Sequence, residues 1–217
     1  MLKRLYSYRF EIFFFSQVAI LFGSLIVPSI IFETFLSPVI FLLNLLAGIV
    51  LLFKQKKTMW FLVLLLAIST FLLGSNLIET TNEALVGLIK MGTYFLFYVV
   101  VTSEIIKQVW QAKKVNKNVI FGLVSGYISL GLIGFFICLS IEMAYPNSFL
   151  GLIDGISITE NLMYYSYITL LTIGYGDILP ISALAHKAAI LIGLMGQIYL
   201  VVITAIVVGK YINQSSK

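Results

Sequence analysis

The sequence predicts an all-α integral membrane protein, with six membrane-crossing helices, a short re-entrant helix and a glycine-rich loop. Three observations lead there. Of its 217 residues, 60% are hydrophobic and only 11% charged, and mean hydropathy is +1.06; soluble domains carry about 25% charged residues. The apolar residues fall into runs long enough to cross a bilayer, and the basic residues sort to one side of those runs.

A spanning helix needs about 20 apolar residues. Runs of that kind cover 10–32, 37–53, 58–75, 84–106, 119–141 and 183–209, while 158–171 is too short to cross and suits a re-entrant helix. With six crossings, Lys3, Arg4, Arg9, Lys54, Lys56, Lys57, Lys107, Lys113, Lys114, Lys117, Lys210 and Lys217 share one side. That side is expected to be the cytoplasm. Glu33, Glu79, Glu83, Glu142, Asp154, Glu160 and Asp177 collect opposite, and Lys90 and Lys187 snorkel from near helix ends. This gives a multi-pass protein of the plasma (inner) membrane, with both termini cytoplasmic. The run from Phe10 exceeds a signal-peptide core, so no cleaved leader is expected.

The same composition narrows function. The net charge of +5 follows from topology, so no nucleic-acid partner is expected. Cys138 is the sole cysteine and His186 the sole histidine, leaving little material for a metal cluster or acid–base catalysis. No enzyme is expected, and no organic cofactor.

Three domains are expected: a four-helix domain at 1–107, an interfacial linker at 108–118 and a pore domain at 119–217. Pro28 should weaken the outer third of the first run, whereas Pro38 suits the first turn of the second. Asn44 and Ser69 read as interhelical hydrogen-bonding positions. The fourth run contains Lys90 and no arginine. Charge-based voltage sensing needs several charges there, each worth about 2.3 kcal/mol per 100 mV, so it is not expected. The basic stretch Lys107–Asn118, with Trp110, suits a helix lying on the lipid surface.

Thr172-Ile173-Gly174-Tyr175-Gly176-Asp177, with Pro180 close behind, stands between two apolar runs. Glycines at alternate positions cannot continue a helix, since each costs roughly 1 kcal/mol there; they admit positive φ. The result is a narrow backbone with a row of carbonyls facing a path. Irregular backbone at membrane depth is tolerated where it is buried in protein or lines water.

This string, flanked as it is, resembles the signature of the tetrameric potassium channels. The six-helix layout resembles prokaryotic voltage-gated-type channels without their arginine-rich fourth helix. The resemblance implies that Thr172, Ile173, Gly174, Tyr175 and Gly176 form a K+ filter. K+ itself would sit at the carbonyls of Thr172, Ile173, Gly174 and Tyr175 and at the Thr172 hydroxyl. One filter per chain implies a homotetramer, with the filter mouth extracellular.

The pore domain divides into an outer helix (119–141), a turret (142–157), a pore helix (158–171), the filter (172–177) and an inner helix (183–209). Ser157 and Glu160 form a capping box for the pore helix, with Thr159 as a competing cap. The pore helix's negative end favours a cation beneath the filter. The family often has paired tryptophans where this chain has Tyr164 and Tyr165; either tyrosine hydroxyl is expected to bond near Tyr175 or Asp177, in support of the filter. Ile168 stands where some relatives have a glutamate, and Leu171 where a second threonine is common. Gly196, 19 residues after Asp177, matches the family's gating hinge, with close packing as the alternative. Gln197, Leu200, Thr204 and Val208 recur at helical spacing and would line the inner cavity. Two other readings of the chain remain: a weakly selective cation channel of the same fold, and a non-conducting scaffold subunit. Besides membrane lipid, a gating ligand or further subunit is an open partner.

Overall fold

The computed structural model describes residues 2–28, 31–75, 83–153 and 155–215. Glu79, Asp154 and Lys217 lie outside these. The chain divides into two compact units, Met1–Ser125 and Gly126–Lys217. Four helices among the described residues are long and apolar enough to cross a membrane: Phe32–Leu51, Val86–Gln111, Lys117–Ala144 and Ala183–Gln214. Most of the described residues are helical.

The first unit holds α1 (Leu2–Ser7), α2 (Arg9–Phe22), α3 (Ser37–Leu51), α4 (Lys56–Ser75), α5 (Glu83–Gln111) and the start of α6 (Lys117–Ala144). The run expected to cross over 10–32 is not one helix. Its α-helical part has 14 residues, about 21 Å at 1.5 Å per residue, followed by a 3-10 turn at Gly23–Leu25. Pro28 has no N–H to give and opposes helix at the Ser24 carbonyl. Gly23 also lacks the Cβ that would collide with the Phe32 ring folded over it.

A π-helical turn, Phe32–Leu36, leads into α3. Pro38 therefore sits near the start of the regular α-helix, although the helical path begins earlier. The wider turn accommodates a proline inside a continuous rod.

A second correction concerns the linker. The surface helix expected across Lys107–Asn118 is absent: α5 runs on to Gln111, and 112–116 form a loop. Lys107 pairs with Glu104 one turn back at 3.7 Å, which favours continued helix. Asn116 then starts α6 by accepting the Val119 N–H at 3.1 Å. Trp110 is half exposed on α5.

Apolar side chains fill the unit's core, with Phe13, Leu45, Phe97, Tyr98 and Ile105 fully buried. Phe97 lies edge-on to Tyr98 at 5.0 Å and tilted against Phe13 at 6.4 Å. Asn44 is the polar hub that the sequence suggested. It donates to Ser16 Oγ at 2.7 Å and accepts from Tyr98 Oη at 2.8 Å, tying α2, α3 and α5 together. Ser69 is buried on α4.

In the second unit, α6 continues to Ala144 and is followed by β1 (Phe149–Leu150), α7 (Ile158–Leu170), β2 (Leu179–Pro180), α8 (Ala183–Ile198), a π-helical turn (Tyr199–Ile203) and α9 (Thr204–Ser215). The strands pair antiparallel, Phe149 with Pro180 and Leu150 with Leu179. Two caps set the helix starts. Ser157 Oγ accepts the Glu160 N–H at 3.1 Å, so Ser157 rather than Thr159 caps α7. Ser182 does the same for α8, accepting from Ala185 at 3.1 Å.

Candidate ion-conduction site

Helix α7 ends at Leu170, and its last carbonyls organise the loop beyond. The Leu171 N–H donates to Tyr167 O at 2.9 Å, Thr172 N–H to Thr169 O at 3.1 Å, and Ile173 and Gly174 N–H both to Ile168 O, at 2.9 and 3.3 Å. These bonds satisfy carbonyls that a helix end leaves open. They also orient the loop. In a trans peptide the C=O points opposite to the N–H of the same plane, and no peptide bond here is cis. With three successive N–H groups turned back to α7, the carbonyls of Leu171, Thr172 and Ile173 all face away from it.

The backbone handedness has the same regularity. Thr172, Gly174 and Gly176 take positive φ, at 57°, 57° and 81°, whereas Ile173 and Tyr175 do not. Glycine takes this conformation without penalty; for Thr172 it costs roughly 1–2 kcal/mol. No atom stands within 4 Å of a Cβ placed on Gly174 or Gly176. Within one subunit, conformation and not lack of room calls for glycine at these two positions.

The residues expected to support the loop separate into two roles. Tyr164 Oη donates to Asp177 Oδ2 at 2.6 Å, one of the contacts that the sequence left open. Ile178 N–H donates to the other carboxylate oxygen at 3.1 Å. The Tyr164 hydroxyl, with these backbone donors, holds the Asp177 carboxyl below its ordinary value against a smaller opposing effect of desolvation. Tyr165 does not reach Asp177. It is buried, with its ring edge-on to Phe149 at 5.1 Å, and so anchors α7 to β1.

Several residues fasten this site through roles that the sequence does not show. Glu142 is buried and accepts from the backbone N–H groups of Asn147, Ser148 and Phe149 at 2.7, 2.8 and 3.2 Å. One carboxylate thus shapes the turret. Gly151, at φ 89°, brings the turret so close to the Asp177 carbonyl that a Cβ would collide with it. Asn161 donates to the carbonyls of Ile153, Ile156 and Ser157 at 3.3, 3.2 and 3.2 Å. Two hydroxyls bolt α7 to α6: Ser166 donates to Gly131 O and Tyr167 to Ile128 O, each at 2.7 Å. Tyr127 donates to Leu170 O at 3.2 Å.

On the inner helix, Gly196 is buried, and a Cβ there would run into the Leu170 carbonyl at the end of α7. Close packing therefore accounts for this glycine. Gly193 has open space around it. Gln197, Leu200 and Val208 are exposed and Thr204 half-buried, whereas Ile192, Gly196, Tyr199, Ile203 and Val207 form the buried face. The π-helical turn at Tyr199–Ile203 lies within this stretch. His186 and Lys187 are exposed in the first turn of α8.

No curated protein and no solved structure matches the chain. Residues 122–213, which contain every element of this site, match the model of a family described as ion channel. This similarity supports a membrane protein of ion-channel type that conducts ions passively.

Proposed function

We propose that the chain is the subunit of a homotetrameric, potassium-selective channel of the plasma membrane. One observation carries the reading: positive φ at Thr172, Gly174 and Gly176, with the N–H groups of Thr172, Ile173 and Gly174 returned to α7. Such a loop offers carbonyl oxygens on one side and replaces the hydration shell of a cation. A single loop has one wall, so four copies enclose the ion. Thr172, Ile173, Gly174, Tyr175 and Gly176 form the filter, with K+ at the first four. Tyr164 and Asp177 brace it through their hydrogen bond, and Tyr165 does so through packing.

Six crossings place both termini in the cytoplasm and the filter mouth outside, in keeping with the distribution of basic residues. Helix α5 has Lys90 and Lys107 and no arginine; the channel opens by a stimulus other than charge movement along that helix. Thr204 and Val208 stand toward the cytoplasmic end of the cavity. The test is flux into liposomes containing the purified chain: rubidium or potassium enters and sodium is excluded. Equal sodium entry identifies a weakly selective cation channel. No entry of either ion identifies a non-conducting subunit.

A further inference from the structure

The first unit contains a cleft of about 370 Å³, within the usual range of small-ligand sites, about 300–1,000 Å³. Its polar wall is Tyr6, Arg9, Lys54, Gln55, Gln108 and Gln111, and its apolar wall includes Phe10, Leu51 and Val119. None of these residues belongs to the filter or its supports. We infer that this cleft binds a phosphate group, and that its source is the headgroup of an anionic membrane lipid.

Two cations are held on one ring. The Arg9 guanidinium lies 4.3 Å from the Tyr6 ring centroid and 4.5 Å from that of Phe10. Lys54 Nζ lies 4.8 Å from the same Tyr6 ring. Like charges gathered this way repel unless an anion joins them. Glu104 pairs with Lys107 and Glu11 with Lys117, each at 3.7 Å, and not with Arg9 or Lys54. The neighbouring carboxylate, Glu104, also accepts from Gln55 Nε2 at 2.6 Å.

Arg9 is fixed in place and still has donors to offer. Its Nε donates to Gln108 Oε1 and its Nη1 to Tyr6 O, each at 3.2 Å. A guanidinium carries five N–H donors in a rigid fork, so the fork is oriented by two and retains others. A planar fork and an ammonium group lining one cleft suit phosphate oxygens. The apolar wall favours the lipid source, because an acyl chain can lie along Phe10, Leu51 and Val119 while the phosphate meets Arg9 and Lys54.

The purified full-length chain, in a zwitterionic detergent, is titrated by calorimetry with dioctanoyl phosphatidic acid and separately with sodium phosphate. Saturable binding of the lipid alone supports the headgroup assignment. Saturable binding of both retains the phosphate site and overturns the lipid as its exclusive source. Arg9→Gln and Lys54→Gln should each weaken binding about tenfold, the scale of one charge-assisted hydrogen bond. Lys54 is exposed, so Lys54→Gln decides the matter wherever Arg9→Gln fails to fold. No saturable binding of either probe, or unchanged affinity in the folded variants, overturns the proposal. Ion flux plays no part in this readout, so a failure here and a failure of the pore reading are distinguishable.

Discussion

The two units are built from similar apolar helices but use their polar side chains differently. In Met1–Ser125, the Asn44 hub joins α2, α3 and α5 through two side-chain bonds. In Gly126–Lys217, side-chain hydrogen bonds crowd around α7 and its two flanking loops, with Glu142, Asn161, Ser166, Tyr167 and Tyr127 each bonding to backbone. Glu142 and Asn161 fix the path of irregular chain in the turret, while Ser166, Tyr167 and Tyr127 lock α7, which carries the loop, against α6. The difference teaches where conformation matters: the second unit holds one loop in one shape, whereas the first joins helices that already hold their own.

The sharpest way to break this comparison is to change the handedness of the filter. Gly174→Ala should abolish potassium flux while leaving the chain able to assemble. Space exists for the methyl group, but positive φ costs an L-residue roughly 1–2 kcal/mol. Measured flux equal to wild type would remove the link between that backbone and conduction.

Next in size is Glu142→Gln. The amide keeps one acceptor oxygen where the carboxylate serves three N–H groups, and an orphaned buried group costs about 1–3 kcal/mol. Thermal unfolding of the assembled protein should fall accordingly. Gly196→Ala should destabilise by a similar amount, about 1–3 kcal/mol for an overpacked site. Gly193→Ala, inside α8 and facing open space within the subunit, should instead raise stability by about 0.5–1 kcal/mol. A reversal of these two results would restore the hinge reading of Gly196.

A smaller effect concerns pH. The folded-state value of Asp177 is depressed, so its contribution is present above the ordinary carboxylate value, about 3.9. It is lost as pH falls through the still lower folded value. Tyr164→Phe removes the main cause, so current through the variant should decline at a higher pH than in wild type. Overlapping pH profiles in single-channel recordings would show that the bond does not brace the mouth. The smallest effect belongs to the first unit: Asn44→Leu should cost about 1 kcal/mol in thermal stability and leave ion selectivity unaltered.

What the sequence made legible divides along the same line. The alternating glycines, the Ser157 cap and the Tyr164–Asp177 contact are local, and local chemistry can be read from adjacent letters. Glu142 was opaque because its role depends on which backbone folds back upon it, and Gly151 reads in the sequence only as a turn residue, without showing which carbonyl it lies against. Gly196 was ambiguous for a related reason: a glycine needed for contact with the Leu170 carbonyl and one needed for bending look identical in a string. Hydropathy overstated the first run, since an average across 10–32 does not register that Gly23 and Pro28 end the helix near Phe22. It also missed the extension of α5, because Lys107 and Gln108 owe their helical state to partners, not to apolar spacing.

The central claim is tested most directly by a reversal potential. The purified chain is placed in a planar bilayer with potassium on one side and sodium on the other. The account predicts a reversal potential displaced far toward the potassium equilibrium value; a reversal potential at zero, with measurable current, would contradict it.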